Sequence, residues 1–210
     1  METEFWKEAW SKRQIAFHNA NVHPMLSGQL STLGLDTGAR LFVPLCGKSL
    51  DIHWLLKQGF RVCGIELVET AVQELFKELD LTPEVTQKGK LKLYSADRID
   101  IYTGDFFDLS ATELKKIDAV YDRAALVALP EKMRKKYADH LIALSGAAPQ
   151  LLITFECNQA DMDGPPFSVS RPILNKLYGE AYEIERLIGR EYDGLPKINS
   201  VVLETAWKLS

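Results

Sequence analysis

Apolar positions recur along the chain at two spacings, and the switch from one to the other outlines a fold. Near the start, Phe5, Trp6, Trp10 and Phe17 stand among charges at roughly helical intervals, and a second amphipathic piece runs from His23-Pro24 to Gly34. Residues 1–34 therefore predict two helices ahead of the main body. From residue 41 the pattern changes: LFVPLC (41–46) is a short apolar run closed by Gly47, and Ile52, Leu55 and Leu56 then follow at helical spacing. That order reads as strand, tight turn, helix. Ser49 is placed to cap the helix, Asp51 suits the positive end of its dipole, and Gly59 can take the left-handed conformation that ends it.

The run RVCGIEL (61–67) predicts a second strand, and Val68, Ala71, Val72, Leu75 and Leu79 form a helical stripe broken at Thr82-Pro83. Residues 91–103 read either as a hairpin or as a strand with an inserted loop around Ala96-Asp97-Arg98. IDAVYDRA (117–124) predicts another strand, and Pro130 opens a helix that turns Met133, Tyr137, Leu141 and Leu144 inward before Gly146 stops it. QLLITFEC (150–157) is the next strand, followed by a polar loop and a helix over 171–178. Two late β-rich runs, YEIERLIGREY and SVVLETAWKL, are joined by a connection too short for a helical crossover, so they should pair antiparallel. The sum is an α/β chain: a doubly wound, mostly parallel sheet with helices on both faces and a C-terminal antiparallel hairpin, one domain over residues 1–210.

Composition narrows the function more than the fold. With 46% hydrophobic and 26% charged residues in 210, the chain can bury a single core. Its 25 basic and 29 acidic residues give a formal net charge of −4, which offers no footprint for a phosphate backbone or an anionic membrane. Nucleic acid and membranes are not expected partners, and a monomer is the expected state. The three cysteines, Cys46, Cys63 and Cys157, show no CxxC spacing, so neither a disulfide framework nor a Cys-rich zinc site is suggested, and a reducing cytoplasm is the expected location. No uncharged apolar run of about 18 residues marks a span or a signal segment.

In an open parallel sheet the ligand crevice lies beyond the carboxyl ends of the strands, so the residues after each strand matter most. The first such turn is Leu45-Cys46-Gly47-Lys48-Ser49. It ends like a P-loop, but Phe42 stands where that motif needs its first glycine, and a single glycine cannot make a GxGxxG fingerprint. A pyrophosphate has no seat here. Glu66 ends the second strand 19 residues after Gly47, where a carboxylate can accept from both hydroxyls of a ribose. A nucleoside without phosphates fits both facts, and S-adenosylmethionine is such a ligand. The plainer alternative for Glu66 is a strand-end carboxylate facing water.

The wording of the segments adds to their spacing. FWKEAWSKRQIAFHNANVHPML, LFVPLCGKSLDIHWLLKQGFRVCGIEL, GDFFDL, IDAVYDRAALVALP and GPPFSV occur in this order from about Phe5 to Leu209. Together they resemble the bacterial thiopurine S-methyltransferase family. The resemblance implies a class I methyltransferase fold with a seven-stranded sheet, S-adenosylmethionine as methyl donor, and sulfur, selenium or tellurium acceptors. By matched position it implies that Trp10, Leu45, Glu66 and Arg123 contact the donor, that Asp105 and Phe106 flank its adenine, and that Phe17 covers the acceptor side, with residues 1–34 as a helical lid. Where animal relatives tend to have Asp-Arg-Gly, this chain has Asp122-Arg123-Ala124.

The chemistry asks little of the side chains. Methyl transfer from a sulfonium is an in-line displacement that depends on alignment at about 3 to 3.5 Å. An aromatic thiol or a selenol is largely anionic near neutral pH, so a protein base is dispensable. No histidine follows a predicted strand, and His18 and His23 are five apart rather than four, so no zinc pair is expected. Arg123, past the fourth strand, is suited to forked hydrogen bonds with a carboxylate or an anionic acceptor; the alternative is that it simply pairs with Asp122 or a helix terminus. Trp10 and Phe17 either close over the pocket or belong to the core. Two rival functions share the same βαβ start: a nicotinamide-dependent oxidoreductase and a non-catalytic nucleoside-binding domain.

Overall fold

A computed structural model of the protein describes residues 3–14, 21–193 and 201–210. Helix α1 (Thr3–Ser11) is followed by α2 (Pro24–Gln29), which runs into a 3-10 turn (Leu30–Leu33) that Gly34 ends with φ +63°. Strand β1 (Arg40–Pro44), helix α3 (Leu50–Lys57), strand β2 (Arg61–Glu66) and helix α4 (Glu69–Glu78) form the first βαβα unit. Ser49 caps α3 by accepting from the Asp51 backbone N–H at 3.2 Å, and Gly59 takes φ +90° after it. Next come β3 (Glu84–Lys88), β4 (Leu91–Ala96) and β5 (Ile99–Thr103), then α5 (Ala111–Leu114), β6 (Ala119–Asp122), α6 (Glu131–Ser145), β7 (Gln150–Glu156), α7 (Arg171–Tyr178), β8 (Ile184–Glu191) and β9 (Leu203–Leu209).

The strands form one sheet in the order β3-β4-β5-β2-β1-β6-β7-β9-β8. Strands β5, β2, β1, β6 and β7 run parallel, β9 inserts antiparallel beside β7, and β8 pairs antiparallel with β9. The seven strands from β5 to β8 make the expected doubly wound sheet with its terminal hairpin. The sheet nevertheless has nine strands rather than seven, because β4 pairs antiparallel with β5, and β3 with β4. Residues 91–103 are thus a hairpin. Strand β3 carries no apolar alternation, since EVTQK is exposed at every position but one, and periodicity had nothing to register there.

Alternation along the central strands feeds two cores. Leu41 and Val43 face α2, α3 and α4 on one side, while Phe42 faces α6 and α7 on the other. Val62, Ile101, Tyr121 and Leu151 join the first layer, and Ile65, Tyr102, Val120 and Leu152 the second. Met25, Leu26 and Leu30 are buried in the first layer, so within residues 1–34 it is α1 that lies apart from the sheet's core. Among the described residues no helix is long and apolar enough to cross a membrane. Strand order reverses between β2 and β6 on either side of β1, which places the ends of these three strands at the switch point.

Candidate active site

The turn after β1 is shaped by its backbone. Leu45 takes φ +47° and Gly47 φ +53°, so the chain reverses twice within Leu45-Cys46-Gly47, while Cys46 N–H donates to the Ile65 carbonyl of β2 at 3.0 Å. A leucine in the left-handed region is strained by about 1–2 kcal/mol, and such strain collects at functional turns. The reversal brings Gly47 N–H onto Glu66: it donates to Oε2 at 2.8 Å, while Val68 N–H donates to Oε1 at 2.9 Å. Glu66 is buried, and burial raises its pKa above the ordinary carboxylate range although the N–H groups of Val68, Gly47 and Leu67 pull it back. Each oxygen keeps acceptor capacity beyond these backbone donors, as two sugar hydroxyls require.

Glu66 lines a small recess together with Leu45, Leu67, Ala124 and two tryptophans of α1, Trp6 and Trp10. Trp10 is almost fully buried against Val68 and Ala71 at the start of α4. The segment after α1 is fastened there too, since Arg13 donates to Glu74 at 2.8 Å and Lys48 bridges Glu74 and Glu78 at 3.0 and 2.6 Å. This recess shares Leu45 and Ala124 with a second, small one lined by Lys48, Ser49, Asp51 and Arg123. On the other side it shares Trp6 and Ala128 with an apolar groove walled by Phe5, Pro130, Met133, Pro165 and Phe167. Three recesses thus neighbour one another at the carboxyl edge of the sheet, each sharing two lining residues with the next.

Arg123 follows β6. Its Nε donates to Asp51 Oδ2 at 2.7 Å and its Nη2 to Ser49 Oγ at 3.1 Å, so of the two plain alternatives it pairs with a helix terminus, the start of α3, and not with Asp122. Asp122 is turned away into the core, where it accepts from Tyr137 hydroxyl at 2.8 Å and Leu126 N–H at 3.1 Å. Burial pushes its pKa up to about 6 against these stabilising bonds. Ala124, between the recesses, has φ +59°, the conformation that glycine adopts without strain.

The structure brings Trp10, Leu45, Glu66 and Arg123 to one edge. Asp105 and Phe106 follow β5, beside the end of β2, where Gly104 N–H donates to the Glu66 carbonyl at 3.0 Å. Asp105 is exposed and caps a short 3-10 turn by accepting from Phe107 N–H at 3.0 Å. The Phe106 ring is buried against Tyr137 and His140, its carbonyl meets His140 Nε2 at 3.1 Å, and neither Phe106 nor Asp105 is among the residues that line the Glu66 recess. Phe17 lies outside the described residues. Trp6, which the sequence pattern places only in the helical stripe, also lines the recess, and its place one helical turn before Trp10 is the signal for it. The pattern shows Asp51 only as a helix-dipole residue, because its partners come from positions 23, 121 and 123.

The sheet order is that of the class I methyltransferase fold, and the single-glycine turn and the carboxylate ending β2 stand where such a sheet meets a ligand. Solved structures share the fold: an S-adenosylmethionine-dependent methyltransferase from Anabaena variabilis superposes with a TM-score of 0.66 at 16% identity over 99% of this chain and 95% of that one. The 1,6-didemethyltoxoflavin-N1-methyltransferase of Burkholderia thailandensis, solved with its substrate and S-adenosylhomocysteine, gives 0.62 at 17% identity over 99% and 86%. The family model for thiopurine S-methyltransferase (TPMT) matches residues 1–204, and the chain belongs to that family. Thiopurine S-methyltransferases of Teredinibacter turnerae and Gluconobacter oxydans are 50% and 44% identical to it, over 100% and 98% of this chain and 98% and 94% of theirs. The chain is thus an enzyme with S-adenosylmethionine as its methyl donor, and the oxidoreductase and silent-binder alternatives fall away.

Proposed function

We propose that the enzyme methylates the sulfur of thiopurines and related aromatic thiols, and extends to selenium and tellurium nucleophiles. The observation that carries this reading is that the Glu66 recess and the apolar groove are neighbours, with Trp6 and Ala128 lining both. A flat heteroaromatic ring suits a groove of phenylalanine, proline and methionine. Lys132 is the only ionisable side chain among the described residues lining it, which favours an acceptor that brings its own negative charge over one needing a base.

Bound donor supplies an electrophilic methyl on a sulfonium, which an in-line thiolate or selenolate can take up directly. Glu66 holds the ribose hydroxyls, Arg123 and Ser49 offer donors for the amino-acid carboxylate, and Trp10 gives a π face to the cation. Leu45 contributes its strained backbone and side chain to the floor, and the Asp105-Phe106 turn flanks the adenine. In this reading α1 is the part of residues 1–34 that acts as a lid, Phe17 joins it on the acceptor side, Arg123 positions rather than transfers protons, and one chain in the cytoplasm is the working unit.

The test is calorimetry with S-adenosylhomocysteine, followed by product analysis with 6-mercaptopurine, an aromatic thiol panel, selenite and tellurite. Micromolar donor-product binding with S-methylation of the thiols is expected. No binding at millimolar concentration would end the proposal; binding with methylation of oxygen or nitrogen acceptors alone would relocate the substrate class.

A further inference from the structure

Asp51 stands in the first turn of α3, is 1% exposed, and commits both carboxylate oxygens. Oδ1 accepts from the backbone N–H of His23 at 2.8 Å; Oδ2 accepts from the Tyr121 hydroxyl at 2.9 Å and from Arg123 Nε at 2.7 Å. Its donors come from three separate places: the approach to α2, the end of β6 and the turn beyond it. Capping of α3 does not account for this, because Ser49 already caps the helix, and a favourable dipole interaction needs no such alignment.

We propose that Asp51 is a positioning residue that sets the plane of the Arg123 guanidinium in the donor recess, an inference that rests on Arg123 belonging to the site. A guanidinium is flat and rigid, so anchoring Nε on Asp51 and Nη2 on Ser49 fixes both its direction and its rotation. Oδ2 is itself held by Tyr121, whose strand is central in the sheet, so the anchor is registered to the most rigid part of the fold. Asp51→Asn preserves volume and can still accept from His23, but an amide in place of the carboxylate cannot satisfy both oxygens' donors. Arg123 Nε then either faces an N–H₂ group or loses a charged partner. The group stays present and its orientation is lost.

The test is a double-mutant cycle on kcat/KM with 6-mercaptopurine: wild type, Asp51→Asn, Arg123→Ala and the double variant, each with its melting temperature. Asp51→Asn should lower kcat/KM by about 10- to 100-fold. It should add little further loss once Arg123 is alanine, because the two act as a unit. Losses that multiply, with Arg123→Ala strongly impaired, overturn the positioning role alone. Wild-type kcat/KM in Arg123→Ala overturns the assignment of Arg123 and the inference together, while donor-product calorimetry on the wild type reports separately on the reading of the enzyme. Should Asp51→Asn not fold, the wild-type protein still decides: nitrogen NMR should show Arg123 with a slowly exchanging Nε–H and restricted Nη rotation, and free rotation overturns the proposal.

Discussion

Replacing Glu66 by glutamine removes half of what the carboxylate does and leaves its shape. In the free protein Glu66 accepts from Gly47 N–H at 2.8 Å and Val68 N–H at 2.9 Å, so the amide of Glu66→Gln must turn its nitrogen toward one of them. An unpaired buried N–H costs about 1–3 kcal/mol, but the variant also escapes the cost of ionising a buried acid, visible in the raised pKa of Glu66. The two effects oppose each other, so stability should shift by about 1 kcal/mol or less. Donor binding has no such compensation. Weakening charged hydrogen bonds to two ribose hydroxyls should cost about 1–3 kcal/mol, or roughly 5- to 150-fold in Kd. Calorimetry with S-adenosylhomocysteine and urea unfolding, run on the same preparations, separate the two quantities. Wild-type affinity should also decline as acid protonates Glu66, whereas the variant's should not. Unchanged affinity, or a loss no larger than the loss in stability, would refute the ribose assignment and return Glu66 to a staple between two loops.

Three further outcomes are expected. Asp122 has a native pKa of about 6 against an ordinary 3.8, so the folded state holds the proton first and stability falls as pH rises from about 4 to 6. At ~1.4 kcal/mol per pH unit this is worth roughly 3 kcal/mol, and the stability difference between wild type and Asp122→Asn should drift by that order across the window and level off above it; parallel curves would sink the idea. Ala124→Gly relaxes a left-handed alanine at φ +59° and should raise unfolding stability by up to about 1 kcal/mol, a loss of that size in urea unfolding being the contrary result. Gly164→Ala would set a Cβ 2.6 Å from the Phe167 ring, displacing a wall of the apolar groove, so acceptor KM should rise roughly tenfold with donor-product Kd unchanged; an equal change in both would place the groove elsewhere.

The apolar periods located the parallel strands and their helices because each faces a core on at least one side. Punctuation by Ser49, Gly59 and Gly146 fixed several ends, and Gly146 indeed takes φ +60° after α6. Strand β3 escaped because its side chains face water. Leu45, Glu66 and Arg123 were legible as residues after strands at a switch point, an argument from topology. The link from Arg123 to Asp51 was not legible, since its partners lie about 70 residues apart and only strand order brings them together. The polar pair of His23 and Glu204, both buried and 2.9 Å apart, was hidden for the same reason. There, burial alone would raise Glu204, yet His23 and Arg190 together hold its pKa below the ordinary range.

The β3-β4 hairpin does more than widen the sheet. Lys92 and Tyr94 grip Glu69, the first residue of α4, at 2.8 and 2.5 Å, and Lys90 beside the hairpin's bend holds Asp108 at 2.8 Å. One appendage therefore braces two loops beside the carboxyl ends of the strands: the approach from Glu66 into α4, and the turn that follows Asp105. Trimming it would leave the other seven strands whole while removing the ties to Glu69 and Asp108, so this outrigger bears on the frame around Glu66 although none of its described residues lines the recess there.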